Sequence, residues 1–306
     1  MYNGIVRRTR EQVVADFEER GFAFRTFAIE HDSPHALADW DWNQRDLAHV
    51  PRIHGGFRFI AATVGEEGAV GFYLQRLLGL RVPLLVAFDH DGPRSRTYRT
   101  TLGPFVLLIE AGLEPLAAGT RVRTTYSVGG PRRLRFVLPW AERFLRRNYA
   151  RLTDEDEPLR RRRTELRGWG YRFAADESGP GYRRSLDLSA CNVRPPDGER
   201  RALEHQLTLD RGGSSGEWRL GRDDHLGLRV VRDGRRVRVF ERMCRHEGAS
   251  LDACPVDGGA LECPWHGRRV APIATFELGG AAQTIRTERY RLTLDGSVLR
   301  IAPATP

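Results

Sequence analysis

The chain has 306 residues, of which 40% are hydrophobic and 29% are charged, a balance typical of globular proteins. Its length predicts two domains of ordinary size. The longest apolar run, Val82 to Phe88, is far too short to cross a bilayer, so we expect no membrane span. Arg7 and Arg8 near the N-terminus precede no apolar segment, so we expect no export signal and a cytoplasmic protein.

The formal net charge is +9, and all 49 basic residues are arginines. These arginines are interspersed with 40 acidic residues, and no aromatic-basic recognition motif appears. The composition therefore disfavours binding to nucleic acid but is compatible with a basic surface that docks an acidic electron-donor protein. Four cysteines in a reducing compartment indicate metal binding or catalysis rather than disulfide bonds.

The first half of the chain alternates between strand and helix patterns. Residues 21–29 and 58–64 are predicted strands, and residues 35–54 between them are predicted to form broken helical pieces. A further strand is predicted at residues 120–128, and Pro139 begins a long amphipathic helix. The order of strands, short helices and one long final helix predicts an α+β domain.

Beyond this domain the pattern changes to short strands. Residues 176–200 are rich in Gly, Ser, Pro and charge and are predicted to link two domains, and residues 211–216 form a second loose segment. The predicted strands occupy residues 226–231, 236–240, 289–294 and 298–301, with a hairpin turn at Asp233-Gly234. The predicted organisation is an N-terminal domain at 1–175, a linker at 176–200 and a small all-β domain at 201–306.

Cys244 and His246 are followed after sixteen residues by Cys263 and His266, which gives the pattern C-x-H-x16-C-x2-H. A Rieske-type [2Fe-2S] cluster needs two thiolates on one iron and two imidazoles on the other, so each of two loops must present one Cys and one His. Zinc is the alternative, but zinc ligands usually occur as C-x2-C or H-x3-H pairs. The pattern resembles the Rieske family, which implies a [2Fe-2S] cluster held by these four residues.

The neighbourhood of the two loops resembles that of low-potential Rieske centres. High-potential members carry an additional cysteine in each loop, and these two form a disulfide; here Trp265 occupies the second position, and Cys254 has no partner in that loop. We therefore expect Cys254 to be a small buried residue. Arg268 replaces a serine whose hydrogen bond to sulfur raises the potential in those proteins. The cluster thus resembles the kind found in oxygenases and their ferredoxins.

A second metal pattern, D-x2-H-x4-H, is formed by Asp46, His49 and His54. On a regular helix the two histidines would lie about 140° apart and would not face one metal, but Pro51 is expected to break the helix between them. Two histidines and one carboxylate make a facial triad that leaves positions on iron open. The pattern resembles the mononuclear iron site of Rieske non-heme iron oxygenases, in which the cluster delivers electrons to that iron.

The third iron ligand is expected from the acidic run on the long helix, which comprises Asp154, Glu155, Asp156 and Glu157. Family members place the ligand in a pattern of an acidic residue or Gln, then Asp, then two residues and an aliphatic one. By this resemblance we choose Asp156, at an expected break in the helix. Thr153 with Asp156 also fits a helix capping box, which is the competing interpretation.

The resemblance assigns Asp46 a different role, as a catalytic link between the two metal sites. In the family this carboxylate hydrogen-bonds an iron-ligating histidine, here His49, and reaches a cluster histidine that corresponds to His266, usually in a neighbouring subunit. The alternative is an ordinary solvent-facing helix residue.

The resemblance also implies an architecture and an activity. The N-terminal domain resembles the helix-grip fold of START-like domains, in which a curved antiparallel sheet wraps the last helix around an apolar cavity. The Rieske domain follows it, which reverses the usual order of the family. The residues expected to line the cavity are Phe72, Leu74, Leu77, Leu78, Leu80, Val82, Leu84 and Leu85.

The implied function is oxygenation with a [2Fe-2S] cluster and a mononuclear Fe(II), by hydroxylation or dealkylation of a lipophilic or aromatic small molecule with O2. The implied partners are a ferredoxin or an NAD(P)H-dependent reductase as electron donor, and further copies of the chain in a homotrimer. Two alternatives stay open. In the first, the chain is an electron-transfer protein whose START-like domain binds ligands or partners without catalytic iron. In the second, it is a START-like binder of a lipid or polyketide with a redox sensor attached.

Overall fold

The computed structural model describes residues 8–64, 68–77, 79–90, 95–174, 186–196, 203–209 and 215–304. Most of the predicted linker at 176–200 and most of the loose segment at 211–216 lie outside the described residues. Internal contacts divide the chain into two units. The first comprises Met1–Thr164 and Ala175–Asp187, and the second comprises Glu165–Ala174 and Leu188–Pro306.

The first unit combines helices with one antiparallel sheet. Its described helices are α1 (Arg10–Glu19), α2 (Leu37–Arg45), α3 (Val50–Ile53), a 3-10 helix (Arg132–Val137) and α4 (Leu138–Gly168), whose last residues belong to the second unit. Its strands are β1 (Phe22–Ser33), β2 (Phe57–Val64), β3 (Gly68–Leu77), β4 (Leu80–His90), β5 (Ser95–Leu102), β6 (Phe105–Leu116) and β7 (Gly119–Pro131). The elements predicted in this half of the sequence are confirmed, and the strands are longer than their patterns indicated.

The strands of the first unit are ordered β1-β7-β6-β5-β4-β3-β2. α2 and α3 therefore connect the two edges of the sheet. α4 packs against one face, where its Tyr149 ring meets Tyr126 of β7 edge-to-face at 6.3 Å and its Arg146 guanidinium lies 4.5 Å from the ring of Phe27 in β1. Buried residues such as Val122 alternate with more exposed ones along β7, as expected for a sheet with one covered face. This arrangement is helix-grip-like.

α4 corrects one prediction. The sequence predicts a break near Asp156, but the helix continues through Pro158 to Gly168. Pro158 lacks the N–H that would bond the carbonyl of Asp154, and because Asp154 is exposed, water can satisfy that carbonyl. The capping-box interpretation is also wrong, because Thr153 lies in the interior of the helix, where its neighbours already have helical hydrogen bonds.

The second unit is built from short strands. These are β8 (Arg172–Phe173), β9 (Val193–Arg194), β10 (His205–Thr208), β11 (Ser215–Leu220), β12 (Leu228–Asp233), β13 (Arg236–Glu241), β14 (Val256–Asp257), β15 (Ala260–Glu262), β16 (Arg269–Val270), β17 (Ala274–Glu277), β18 (Gln283–Arg286), β19 (Tyr290–Asp295) and β20 (Val298–Pro303). They form sheets with the orders β10-β20-β19-β18, β11-β12-β13-β17, β14-β15-β16 and β8-β9.

The two larger sheets of the second unit share one apolar core, to which Val230, Val239, Leu292 and Ile301 contribute. The predicted hairpin between β12 and β13 is confirmed, because the strands pair up to the turn and Gly234 has a φ of 59°, a conformation that favours glycine. No helix within the described parts of the chain is both long enough and apolar enough to span a membrane.

Candidate metal centres

Two loops of the second unit carry the predicted cluster ligands, at residues 244–249 after β13 and at residues 263–268 after β15. In each loop the cysteine N–H donates to the carbonyl five residues later, at 2.8 Å in both cases. A glycine four residues after each cysteine, Gly248 and Gly267, donates its N–H back to the cysteine carbonyl at 2.9 and 2.8 Å. Both glycines have positive φ, 90° and 71°, which a side chain would oppose. The two loops therefore share one backbone conformation.

These loops bring the four side chains together as two like pairs. The Nδ1 atoms of His246 and His266 lie 3.1 Å apart, with the ring planes at 86°. The thiols of Cys244 and Cys263 hydrogen-bond to each other, and all four residues are buried. That hydrogen bond raises the pKa of Cys244, and burial raises it further. The same hydrogen bond lowers the pKa of Cys263. A [2Fe-2S] cluster in which two thiolates bind one iron and two imidazoles bind the other needs such a pair of sulfurs and such a pair of nitrogens.

The same geometry argues against one zinc ion. A single tetrahedral ion would bring four donor atoms around one point. Groups of three or more His, Cys, Asp or Glu side chains with all donor atoms within 4.8 Å of one another are candidates for such an ion. Among the described residues, the one group of this kind is His49, His54 and Asp156. No three of the Cys and His donors of the loops meet this criterion.

A buried hydrogen bond supports the first loop from a distant part of the chain. Asn192 donates its side-chain N–H to Glu247 at 2.8 Å, and its backbone N–H to the carbonyl of His246 at 3.2 Å. In the second loop, Arg268 donates to the carbonyl of Ala190 at 2.7 Å. Sequence reasoning missed Asn192 because it lies more than fifty residues before the motif and carries no spacing signal. Cys254 is buried and forms no disulfide.

The first unit brings together the three residues predicted to bind the mononuclear iron. Asp156 Oδ1 lies 3.2 Å from His49 Nε2 and 3.3 Å from His54 Nε2. His49 Nε2 and Asp156 Oδ1 are buried and form no hydrogen bond of acceptable geometry in spite of this proximity. Buried polar atoms without hydrogen bonds are costly, and three N and O donors around one point fit a divalent cation.

The local backbone explains how two histidines five residues apart converge. His49 and His54 are the residues that flank α3, which is a single turn. Pro51 lies at the start of this turn, where its missing N–H costs nothing, so the expectation that it breaks a longer helix was wrong. His54 instead leaves the helical region, with φ of −93° and ψ of 93°, and this change directs its ring towards His49.

Each histidine has a carboxylate on the side away from Asp156. Asp46 Oδ2 lies 3.4 Å from His49 Nδ1, and Glu155 accepts a hydrogen bond from His54 Nδ1 at 2.8 Å. Such partners fix the tautomer and orientation of a metal-binding histidine. Asp46 is 2% exposed, so the solvent-facing alternative is wrong, and its Oδ1 accepts the N–H of Ala48. Sequence reasoning considered Glu155 only as a possible ligand.

The charges of the triad compensate one another. Burial acts to lower the pKa of His49, but the carboxylates of Asp156 and Asp46 outweigh it and raise that pKa to about 10. Burial lowers the pKa of His54. Burial acts to raise the pKa of Asp156, but His49, His54 and Arg160 outweigh it and lower that pKa. The positive charge that the site favours is one that a bound cation would supply.

Arg160 adds a buried positive charge one turn after Asp156. Its Nη1 lies 3.8 Å from Asp156 Oδ2 and donates to Asn43 Oδ1 on α2 at 2.9 Å. Its Nη2 donates to the carbonyl of Thr153 at 2.7 Å, and the guanidinium stacks on Trp40 at 3.9 Å. Arg160 therefore stands beside one carboxylate oxygen of Asp156, while the other faces the histidines.

The triad lies on the wall of a cavity of about 700 Å³ within the first unit. One stripe of α4, from Trp140 to Arg160, lines the cavity along its length, and the sheet supplies the other wall. Most of this wall is apolar, with contributions from Leu84, Val86, Phe88, Val106, Ile109 and Leu152. A cavity of this size and character suits a small organic ligand.

The predicted lining of the cavity needs correction. Val82 and Leu84 line it as expected, whereas the other members whose side chains are described, Phe72, Leu74, Leu80 and Leu85, do not. Phe72 and Leu85 pair across β3 and β4 and face outward, since alternate residues of a strand point to opposite faces. The side chain of Leu77 and the whole of Leu78 lie outside the described residues.

Comparison with known proteins decides the nature of the second unit. Residues 202–289 match the family model described as the Rieske [2Fe-2S] domain. The chain carries a Rieske domain. This Rieske domain contains both ligand-bearing loops and implies a [2Fe-2S] cluster. A search of curated proteins finds no match to the chain.

Solved structures similar to the chain include Mll3558 from Rhizobium loti, with 24% sequence identity and a TM-score of 0.35 over 44% of this chain and 98% of that one. TTHA0849 from Thermus thermophilus has 14% identity and a TM-score of 0.36, covering 43% of this chain and 93% of that one. The di-domain ARO/CYC StfQ of the steffimycin biosynthetic pathway has 10% identity and a TM-score of 0.39, covering 50% of this chain and 55% of that one.

Proposed function

We propose that the chain is a Rieske-type oxygenase that acts on a lipophilic or aromatic small molecule. The observation that carries this proposal is the convergence of His49, His54 and Asp156 on the wall of an apolar cavity, in a chain that also has a Rieske domain. When bound, the [2Fe-2S] cluster would supply single electrons and the mononuclear Fe(II) would activate O2.

The residues around the triad have distinct tasks. His49 and His54 present Nε2 to the metal position. Glu155 holds the His54 ring by a hydrogen bond to Nδ1, and Asp46 Oδ2 lies 3.4 Å from Nδ1 of His49. Asp156 offers Oδ1 to the same position. Three protein ligands leave further coordination positions open, which an oxygenase requires and a structural site does not. The apolar wall excludes water from that side and orients a lipophilic substrate.

Asp46 is proposed to link the two metal sites. It is buried behind His49, and its carboxylate lies close to Nδ1, the ring nitrogen that does not face the metal position. A charged carboxylate in this place fixes the tautomer of His49 and provides a hydrogen-bonded route towards a cluster histidine such as His266. The electron donor is proposed to be a ferredoxin or an NAD(P)H-dependent reductase, and the assembly a homotrimer.

The experiment that tests the proposal uses the full chain, loaded with Fe(II) and chemically reduced, in a single turnover. The protein is exposed to isotopically labelled O2 with a panel of lipophilic aromatic compounds, and products are analysed by mass spectrometry. We expect a product that contains oxygen from O2, together with reoxidation of the cluster. His54→Ala should keep the cluster and lose both Fe(II) binding at the triad and the product.

His205→Ala is the matched control, because His205 is exposed on β10, outside both candidate metal sites. It should behave as the wild type does. If the wild type binds no more Fe(II) than His54→Ala and forms no labelled product, the chain is an electron-transfer protein with a ligand-binding unit.

A further inference from the structure

The cavity of the first unit opens at the beginning of α4. Trp140 lines the cavity and is also 51% exposed, so the cavity reaches the surface at this residue. Asp156 lies sixteen residues later on the same helix, which places it about 24 Å from the mouth. Pro104 and Phe105, at the β5–β6 turn, also line the cavity.

Large aromatic side chains stand exposed at this mouth. Phe136, in the 3-10 helix that precedes α4, is 74% exposed. Trp140 follows it by four residues and stacks on Phe144 inside the cavity, with ring centroids 5.9 Å apart. A single exposed apolar residue needs no explanation, but two aromatic residues at the opening of an apolar cavity form a surface that water solvates poorly.

The same segment holds an unusual excess of positive charge. Residues 132–147 contain six arginines and one glutamate, a net charge of +5 in a chain whose total is +9. The glutamate, Glu142, is already paired with Arg25 and Arg146. Arg132 donates a hydrogen bond to the carbonyl of Glu18. The other exposed arginines of this segment that form no ion pair with any described residue are Arg133, Arg135, Arg143 and Arg147.

We infer that this aromatic-basic rim, made of Arg133, Arg135, Phe136, Trp140, Arg143 and Arg147, docks on an anionic lipid surface and places the cavity mouth against it. Arginines attract lipid phosphates, and Trp and Phe side chains enter the boundary between headgroups and acyl chains. A lipophilic substrate concentrates in a bilayer, so a mouth held there would take it up without a passage through water. The docking does not depend on the iron site, whereas its use in loading a substrate rests on the proposed function.

The rim fits lipid better than an acidic protein for two reasons. A protein partner that occupied it would cover the mouth of the cavity, which obstructs the exchange of substrate and product. The exposed aromatic residues also have no role in long-range attraction between charged proteins, which needs charge alone. A lipid surface suits both parts of the rim, because its phosphates can pair with the arginines and its acyl chains can pack against the aromatic rings.

The test measures co-sedimentation of the full chain with vesicles of phosphatidylcholine alone and with about 30% phosphatidylglycerol, which gives a negative surface potential. We expect binding to the anionic vesicles only. Arg143→Gln with Arg147→Gln should weaken it roughly 25-fold, at about fivefold for each charge removed near the surface. Phe136→Ser should weaken it about tenfold without any change in charge.

Arg286→Gln with Arg291→Gln provides the matched control. These arginines are exposed and paired across β18 and β19 in the second unit, and they form no ion pair with described residues. This control removes the same charge and should bind as the wild type does. The inference is overturned if the control loses as much binding as the rim variant, or if the wild type does not bind anionic vesicles, whether or not an acidic ferredoxin binds to the rim.

Discussion

A buried ion pair between α2 and α4 should govern both the stability of the first unit and the geometry of its metal triad. Arg163 Nε lies 3.1 Å from Asp39 Oδ1, and both side chains are fully buried. The guanidinium also stacks on Trp42 at 4.1 Å, and Thr164 donates to the other oxygen of Asp39 at 3.2 Å. Arg163→Met keeps most of the side-chain volume but leaves the carboxylate of Asp39 buried without this cation.

Removing one partner of a buried pair costs about 3–5 kcal/mol, because the remaining charge stays desolvated. In a unit of this size that loss corresponds to a fall in Tm on the order of 10 °C. Circular dichroism follows unfolding of the full chain, while visible absorption of the cluster reports separately on the second unit. Since α2 leads into Asp46 and His49, the variant should also bind Fe(II) more weakly at the triad.

The double variant Asp39→Asn with Arg163→Met separates the ion pair from general packing. It removes both charges, so it should be more stable than Arg163→Met alone, in keeping with the coupling expected between contacting residues. A loss below about 1 kcal/mol in the single variant, or a double variant less stable than the single one, would show that this ion pair does not govern the stability of the first unit.

Three further outcomes are expected. His266→Ala should abolish the colour of the purified protein or leave an unstable cluster; an unchanged visible spectrum would remove the ligand assignment. Asp46→Asn should retain both metal centres but lose turnover by the reduced cluster, and a wild-type rate would exclude its linking role. Binding of Co(II) to the metal-free triad should strengthen by up to tenfold per pH unit as pH rises towards about 10, because His49 must lose a proton to bind; a flat profile contradicts this.

The features that the sequence anticipated are those encoded by short-range spacing. Cys244 lies two residues from His246 and Cys263 three residues from His266, and this motif indicates the Rieske domain without knowledge of the fold. His49 and His54 were paired by a local pattern, although the reason first given for their convergence, a proline-broken helix, was wrong. Alternation of apolar residues located β7, because this strand has one covered face.

The features that the sequence did not reveal depend on which face of an element is covered. Arg160 and Arg163 belong to a run of four arginines that would ordinarily be read as a solvated surface, yet both are buried because they face α2. The apolar run around β3 and β4 is nearly continuous, so its alternation does not show which residues point into the cavity. The resemblance favoured Asp156 over Glu155 as the ligand, but the contact of Glu155 with His54 Nδ1 depends on the helix geometry and carries no spacing signal.

Analysis of iron and sulfide distinguishes a chain with two separate metal centres from one that holds the cluster alone. The full-length protein, reconstituted anaerobically with iron and sulfide and freed of unbound metal, should contain about three irons and about two acid-labile sulfides per chain. His54→Ala and Asp156→Ala should each retain the two sulfides and only two irons. Two irons in the wild type, with no difference in either variant, would show that the triad binds no iron.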